Sequence, residues 1–123
     1  MNKIKKIYYA HPITLYNTPQ EERDLAFLNF LWPEAEIYNP NSKHDTKKYK
    51  EFGMQWFLDR VGDCDLVVFR SFPGGKIGAG VWSEIEYGET ICEIPVMEIP
   101  IIMESRRLTV DDTREYLNHG GKR

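Results

Sequence analysis

The sequence predicts an α/β fold, in which a parallel sheet of about four to five strands carries helices on both faces. Short apolar segments alternate along the chain with longer segments of helical periodicity, the order expected of strands joined by crossover helices. The clearest strand, Asp65–Phe69, is a nearly continuous apolar run, as is typical of a parallel strand covered on both faces. The length of 123 residues, without internal repeat or linker, indicates a single domain over residues 1–123. We therefore expect a Rossmann- or flavodoxin-like architecture.

The first strand and the first helix have clear boundary signals. Ile4–Ala10 is expected to form a strand that ends before Pro12, because proline cannot donate to a sheet ladder. Thr18 suits the N-cap of the following helix, Pro19 suits its first position, and Glu21 falls three residues after the cap, as in a capping box. The apolar residues at helical spacing in this segment are Leu25, Leu28 and Trp32.

The middle of the chain predicts a second strand, a long helix and the buried strand described above. Ala35–Tyr38 is a short strand closed by the turn-forming residues 39–42. The segment Asp45–Gly62 has a helical pattern. Its expected buried stripe consists of Phe57, Leu58 and Val61.

The last part of the chain begins with a glycine-rich loop, Ser71–Gly80, followed by a helix over Val81–Cys92. Further strand material is expected at Pro95–Ile99 and Ile101–Met103. A final helix runs from its cap at residue 109 to residue 117.

Composition and charge exclude several classes of function. A net charge of -3 gives no general attraction to polymeric nucleic acid or to an anionic membrane, so neither is expected as a partner. The lysine clusters Lys3–Lys6 and Lys47–Lys50 are short and are expected to be solvated edges rather than binding patches. Cys64 and Cys92 lack metal-ligand spacing, which predicts free thiols and no metal site. No signal peptide or transmembrane run is present, which predicts a cytoplasmic protein.

In open parallel sheets, ligands bind beyond the carboxyl ends of the strands, where the strand order reverses. This rule selects three loops, Ala10–Tyr16, Asn39–His44 and Arg70–Gly80. Glycines before a helix let the backbone approach a ligand, and free amides at the helix start can bind a phosphate or a sugar hydroxyl. The same pattern is also compatible with a flexible turn.

Two carboxylates, Glu84 and Glu86, lie near the start of the helix that follows the glycine-rich loop. One interpretation is that they only complement the helix dipole. The other is that one of them points into the crevice, where a carboxylate can attack or stabilise the anomeric carbon of a sugar. The residue pattern leaves both interpretations open.

Four short motifs resemble those of the nucleoside 2-deoxyribosyltransferase-like superfamily, including its deoxynucleoside-monophosphate hydrolase branch. They are the opening strand Ile7–Pro12, the turn Asn39-Pro40, the strand start Cys64–Val68 and the helix start Gly80–Ile85. By this resemblance Glu84 is the nucleophile that attacks C1′ of the sugar, and the reaction cleaves or exchanges an N-glycosidic bond. The resemblance implies no metal or organic cofactor. Fainter resemblances to phosphoribohydrolases and to TIR-type NAD hydrolases point to the same reaction class.

The resemblance also implies the surroundings of that carboxylate. Tyr9 and His11 would line the sugar or base pocket, and the loop through residues 78–80 would hold a 5′-hydroxyl or 5′-phosphate. The chain departs from the family at two positions: Phe57 stands where characterised enzymes carry an Asp that handles the base, and Gly78 stands where they carry Asp or Ser. Homodimers or larger homo-oligomers, with neighbouring chains completing the sites, are common among such proteins, so we expect an oligomer.

The expected ligand is therefore a nucleoside or nucleotide, and His11 or Glu86 is the candidate proton donor. The candidate substrate-binding residues are Tyr9, Ala10, Pro12, Tyr16, Asn39, Arg70, Lys76, Gly78, Ala79 and Gly80. Several of these residues have structural alternatives: His11 as a loop histidine, Tyr16 as a staple at the helix entry, and the two cations as surface residues. Two other functions remain open, a non-catalytic nucleotide-binding domain and a module that binds a protein partner.

Overall fold

The computed structural model describes residues 3–100 and 109–118, so the strand material expected at Ile101–Met103 lies outside the described residues. The strands are β1 (Lys6–Ala10), β2 (Glu36–Tyr38), β3 (Leu66–Phe69) and β4 (Val96–Glu98). The helices are α1 (Pro19–Leu31), α2 (Lys43–Phe52), α3 (Met54–Gly62), α4 (Ala79–Thr90) and α5 (Val110–Asn118). A 3₁₀ turn, Ile13–Leu15, follows β1. Strands and helices alternate as the sequence predicts, except that two helices join β2 to β3.

The four described strands form a parallel sheet in the order β2-β1-β3-β4. After β2 the chain crosses back over β1 and forms β3 on its other side. The strand order therefore reverses between β1 and β3, and the carboxyl ends of the strands share one edge of the sheet. The predicted Rossmann- or flavodoxin-like α/β architecture is confirmed.

Side-chain alternation along the strands divides the core into two layers. One layer contains Tyr8, Ala10, Val67 and Phe69 from the sheet, with Val61, Val81 and Ile85 from α3 and α4. The other contains Ile7, Tyr9, Leu66 and Val68 from the sheet, with Leu28 from α1. Helices thus cover both faces of the sheet, and each large apolar side chain buried in this way contributes about 1.5–3 kcal/mol.

Helix α1 begins where its sequence signals place it. The Thr18 hydroxyl accepts a hydrogen bond from the Glu21 amide at 3.3 Å, and proline occupies the first helical position. The reciprocal half of the expected capping box differs, because the Glu21 carboxylate accepts from the Asn17 amide at 3.1 Å instead of the Thr18 amide. Sequence periodicity identified the buried Leu28 but missed two carboxylates, Glu21 and Asp24, which are buried on the same face of the helix.

The single helix expected over Asp45–Gly62 was wrong, because Gly53 divides it into α2 and α3. Gly53 has a φ of 70°, a left-handed value that glycine tolerates and other residues rarely adopt. Its amide bonds to the Tyr49 carbonyl at 2.7 Å and closes α2 before the chain turns into α3. Of the expected buried stripe, Val61 is fully buried, whereas Phe57 and Leu58 are only half-buried.

A buried ion pair joins α1 to the end of β3. Arg70, the residue after β3, donates from Nε and Nη2 to the two carboxylate oxygens of Asp24 at 2.5 and 2.7 Å. The Tyr9 hydroxyl and the side-chain amide of Gln20 donate to the same carboxylate at 2.6 and 2.8 Å. Asp24 is 2% exposed and Arg70 is 7% exposed, so the pair is almost free of water. The four hydrogen bonds offset the desolvation of both charges.

We expect Asp24→Ala to lower the free energy of unfolding by about 3–5 kcal/mol, because it leaves the buried guanidinium without its partner. Urea denaturation measures this loss. Replacement of both partners, Asp24→Leu with Arg70→Met, is expected to be less destabilising than the single change, since no unpaired charge remains.

The matched control is Glu34→Ala, which breaks the exposed Lys3–Glu34 pair and should cost less than about 1 kcal/mol. A similarly small loss for Asp24→Ala would show that the buried pair does not hold α1 to the sheet.

Candidate active site

A cavity of about 500 Å³ opens at the carboxyl edge of the sheet. Its wall is built from the segment after β1, the loop after β2, helices α2 and α3, and the glycine-rich loop with the start of α4. Of the sequence-predicted residues, His11, Pro12, Tyr16, Gly78, Ala79, Gly80 and Glu84 line the cavity. Its volume lies within the range of about 300–1,000 Å³ that is usual for small-molecule sites.

Glu84 is the carboxylate that helix α4 presents to this cavity. It lies in the second turn of the helix and is 7% exposed. One of its carboxylate oxygens accepts a hydrogen bond from the Tyr8 hydroxyl. Burial raises the pKa of Glu84 to about 8, and the hydrogen bond from Tyr8 opposes this rise without cancelling it. The structure therefore provides a buried carboxyl group that changes charge near neutral pH and lines a ligand-sized cavity.

The family resemblance implies that Tyr9 lines the pocket, but Tyr9 does not line the cavity, and the tyrosine that donates to Glu84 is its neighbour Tyr8. Consecutive residues of a strand point to opposite faces of the sheet, so these two side chains separate. Tyr8 packs in the layer of α3 and α4, whereas Tyr9 packs in the layer of α1 and donates to Asp24. Burial, with the charge of Glu84 beside it, raises the pKa of Tyr8 well above its ordinary value, so the phenol stays protonated and donates. Strand alternation is the signal that distinguishes the two tyrosines once one facing helix is known.

His11 lies at the end of β1 with both ring nitrogens engaged. Nδ1 lies 3.1 Å from the Tyr9 carbonyl oxygen, and Nε2 lies 2.7 Å from a carboxylate oxygen of Glu21. The ring stacks on the Tyr9 ring with centroids 3.8 Å apart, and its side chain is fully buried. Burial lowers the pKa of His11 despite the hydrogen bond to Glu21. These contacts organise the loop after β1 and leave no ring nitrogen free to protonate a leaving group.

Glu21 connects three chain segments around the cavity. Besides His11, its carboxylate accepts from the Asn17 amide at 3.1 Å and from the Asn41 side chain at 2.9 and 3.1 Å. Burial alone would raise the pKa of Glu21, but these hydrogen bonds outweigh it and lower the pKa. An ionised Glu21 thus ties the ends of β1 and β2 to the start of α1. The capping-box spacing located this residue but not its role.

The remaining sequence-predicted residues lie outside the cavity wall. Ala10 is buried in the core beneath it, and the Asn39 side chain accepts a hydrogen bond from the Asn41 amide. Arg70, a candidate phosphate partner with a surface position as the alternative, is instead buried and pairs with Asp24. The exposed side chains of Lys76 and Glu86 do not line the cavity either.

The glycine-rich loop has two distinct parts. Gly74 and Gly75 have φ values of 91° and 90°, which allow a tight turn. A hydrogen bond of 2.8 Å from the Phe72 amide to the Lys76 carbonyl closes this turn. A Cβ at Gly78 would lie 2.9 Å from the Phe72 ring. The aromatic ring therefore occupies the space that a polar side chain would need at position 78, where the resembled family carries Asp or Ser.

The cavity wall is mainly aromatic and apolar apart from Glu84. Tyr16, Tyr49, Phe57 and Phe72 contribute rings from four different segments. Phe57 stands at the position where the resembled family carries an Asp. It lines the cavity, so an aromatic ring takes the place of that carboxylate. Walls that are mainly apolar and aromatic are typical of small-molecule sites.

Known protein families and curated proteins provide no match to this chain. In residues 3–100 and 109–118, no three His, Cys, Asp or Glu side chains are grouped to hold a metal ion. Within the same ranges, no helix is long and apolar enough to cross a membrane.

We expect Glu84 to make the stability of the fold depend on pH. Its folded pKa of about 8 lies above its ordinary value of 4.5, so the folded state holds an extra proton between these values. The resulting stabilisation is fully present below the ordinary value and is lost as pH rises through about 8. Relative to Glu84→Gln, the wild type should therefore lose free energy of unfolding between about pH 5 and pH 8, by at most ~1.4 kcal/mol per pH unit.

Urea denaturation of both proteins across this range measures the difference, and groups that titrate in both proteins cancel. A difference that stays constant with pH would show that Glu84 is ionised throughout.

Proposed function

We propose that the protein cleaves or exchanges the N-glycosidic bond of a nucleoside or nucleotide, with Glu84 as the nucleophile. The observation that carries this proposal is the buried carboxyl of Glu84, which accepts a hydrogen bond from Tyr8 and lines a cavity with several aromatic residues in its wall. The cavity lies at the edge of the sheet where ligands of such folds bind. The motif resemblance found in the sequence supports the same chemistry independently of the cavity.

Each part of the site has a task in this reaction. Tyr8 holds one oxygen of Glu84, so the other oxygen is free to attack C1′ of the sugar. The attack forms a glycosyl ester and breaks the bond to the base, which leaves with the bonding electron pair. Water then hydrolyses the ester, or a second base takes the sugar. Because the carboxylate attacks only when ionised, its raised pKa places the onset of activity near pH 8.

Tyr16 is the hydroxyl group of the cavity wall that we assign to the leaving base. Its ring lies 4.9 Å from the His11 ring, centroid to centroid, and its side chain lines the cavity. Burial raises the pKa of Tyr16, and the charge of Glu84 raises it further, so the phenol stays protonated at neutral pH. A protonated phenol can donate a hydrogen bond to a base nitrogen as the bond to C1′ breaks. His11, whose nitrogens are engaged, instead holds this segment in place.

Glu84→Ala is expected to lower base release by about 10³-fold or more, as removal of a covalent nucleophile commonly does. Chromatography would measure free base after incubation with ribo- and deoxyribonucleosides, their monophosphates and NAD, with and without an acceptor base. Dependence on the acceptor distinguishes transfer from hydrolysis.

The matched control is Glu89→Gln, an exposed carboxylate later on the same helix, which should leave turnover unchanged. Undiminished base release by Glu84→Ala would exclude Glu84 as the nucleophile.

Tyr8→Phe is expected to shift the pH dependence of base release to higher pH. The hydrogen bond from Tyr8 lowers the pKa of Glu84, so its removal raises that pKa further and delays ionisation. The logarithm of kcat/KM against pH should rise with unit slope below its midpoint in both proteins, with the midpoint higher in the variant. An unchanged midpoint would show that the hydrogen bond from Tyr8 does not affect the pKa of Glu84.

A second function, nucleotide binding without catalysis, is favoured by one observation. A carboxyl with a pKa of about 8 is mostly protonated at neutral pH, and a neutral carboxyl can bind a ligand by donating a hydrogen bond. Retained nucleotide binding by Glu84→Ala, together with no turnover by the wild type on the whole panel, would select this function.

In either case we propose a homo-oligomeric protein that acts on small molecules in the cytoplasm. Light scattering that gave a monomer at micromolar concentration would contradict the oligomeric part.

A further inference from the structure

A second, shallow depression of about 320 Å³ lies beside the candidate active site. It is lined by Asn41, Ser42, Lys43, Thr46, Lys47 and Lys50, which belong to α2 and to the residues just before it. Thr46 also lines the main cavity, so one residue forms part of both walls. The main cavity and the depression therefore adjoin at Thr46.

The spacing along α2 explains why the two spaces meet at this residue. Residues three or four apart on a helix are neighbours, with about 5–6 Å between their Cβ atoms. Lys43 and Lys50 stand three residues before and four residues after Thr46, and Lys47 follows it directly. Tyr49, three residues after Thr46, belongs to the main cavity. Thr46 thus lies on the ridge of α2 between an aromatic wall and a row of ammonium groups.

The three lysines that line the depression are exposed, and in the described part of the chain none of them has a carboxylate within 4.0 Å. The acidic residues of the same helix are engaged elsewhere. Asp45 is buried against Tyr38, Ser42 and Trp56, and Glu51 pairs with Lys48 at 3.9 Å. The nearby Glu21 is surrounded by hydrogen-bond donors. The residues that line the depression therefore include three lysines and no carboxylate, although the chain as a whole has a net charge of -3.

We propose that this depression is an anion subsite, which binds the phosphate of a nucleotide whose sugar lies at Glu84. This inference rests on the proposed function, and it assigns the phosphate to α2 instead of the glycine-rich loop, where the family resemblance places a 5′-hydroxyl or 5′-phosphate. Two observations argue against that loop: Arg70 is committed to Asp24, and Lys76 does not line the cavity. Lysine ammonium groups bind phosphate as point charges without a fixed geometry, which suits a shallow site.

Binding measurements on the Glu84→Gln protein test the subsite without turnover. Isothermal titration would compare each nucleoside with its 5′-monophosphate and 5′-diphosphate, and would use inorganic pyrophosphate as the base-free probe. We expect the phosphorylated ligands to bind at least about tenfold more tightly than the nucleoside, because the lysine ammonium groups form charge-assisted hydrogen bonds with phosphate. This advantage should shrink as salt rises, because exposed charges are screened.

The variant Lys47→Glu with Lys50→Glu should remove the advantage of phosphate and weaken pyrophosphate binding, while nucleoside affinity stays within about twofold. The matched control, Lys3→Glu with Lys5→Glu, makes the same change of net charge near the amino end of β1 and should keep the advantage. It excludes a general effect of net charge.

The outcomes separate the two proposals. Three results would overturn the anion subsite, whether or not the wild-type protein releases base. The α2 variant could lose nucleoside and nucleotide binding equally, it could lose neither, or the control variant could show the same loss as the α2 variant. Absence of pyrophosphate binding, together with equal affinity for nucleoside and nucleotide, would overturn it as well. Conversely, the α2 variant alone could lose the tighter binding of phosphorylated ligands while the wild type releases no base. That combination would support the anion subsite and reject the catalytic function.

Discussion

The structure depends on the buried pairing of Arg70 with Asp24. A charge removed from water must be paired and fully hydrogen-bonded, or it costs several kcal/mol. The fold meets this requirement by bringing a carboxylate of α1 against the end of β3, with Tyr9 and Gln20 completing the bonds. The pair thereby sets where α1 lies relative to the carboxyl edge of the sheet. One turn earlier on the same helix, Glu21 continues the arrangement by holding the loops after β1 and β2.

The alternation of β1 gives its two tyrosines different tasks. Tyr9 faces α1 and satisfies Asp24, so its contribution is structural. Tyr8 faces α3 and α4 and donates to Glu84, so it contributes to the candidate site. Because the two hydroxyl groups serve opposite faces of one strand, a shift of register by a single residue would exchange them and disrupt both networks. This coupling joins the stability of the fold to the placement of the carboxylate.

Burial of Glu84 illustrates the conflict between stability and chemistry at such a site. The buried surroundings of Glu84 disfavour a carboxylate charge, which is why its pKa is raised. Ionisation makes the group more reactive and the fold less stable at the same pH. In the proposed reaction, a sugar that develops positive charge beside the carboxylate would relieve this cost, and the charged transition state would be stabilised relative to the empty cavity.

The sequence by itself determined the fold class, the start of α1 at Thr18 and the position of Glu84 on the helix after the glycine-rich loop. These features depend on local signals, namely apolar periodicity, cap chemistry and motif spacing, which the chain carries in neighbouring residues. Only the tertiary structure decided which tyrosine meets Glu84, that Arg70 binds Asp24, and that the lysines of α2 adjoin the cavity. Each of these joins residues distant along the chain, and polarity alone does not indicate whether a side chain meets water or a buried partner. The break at Gly53 is intermediate, because glycine permits a positive φ and the packing of α2 and α3 determines that it is used.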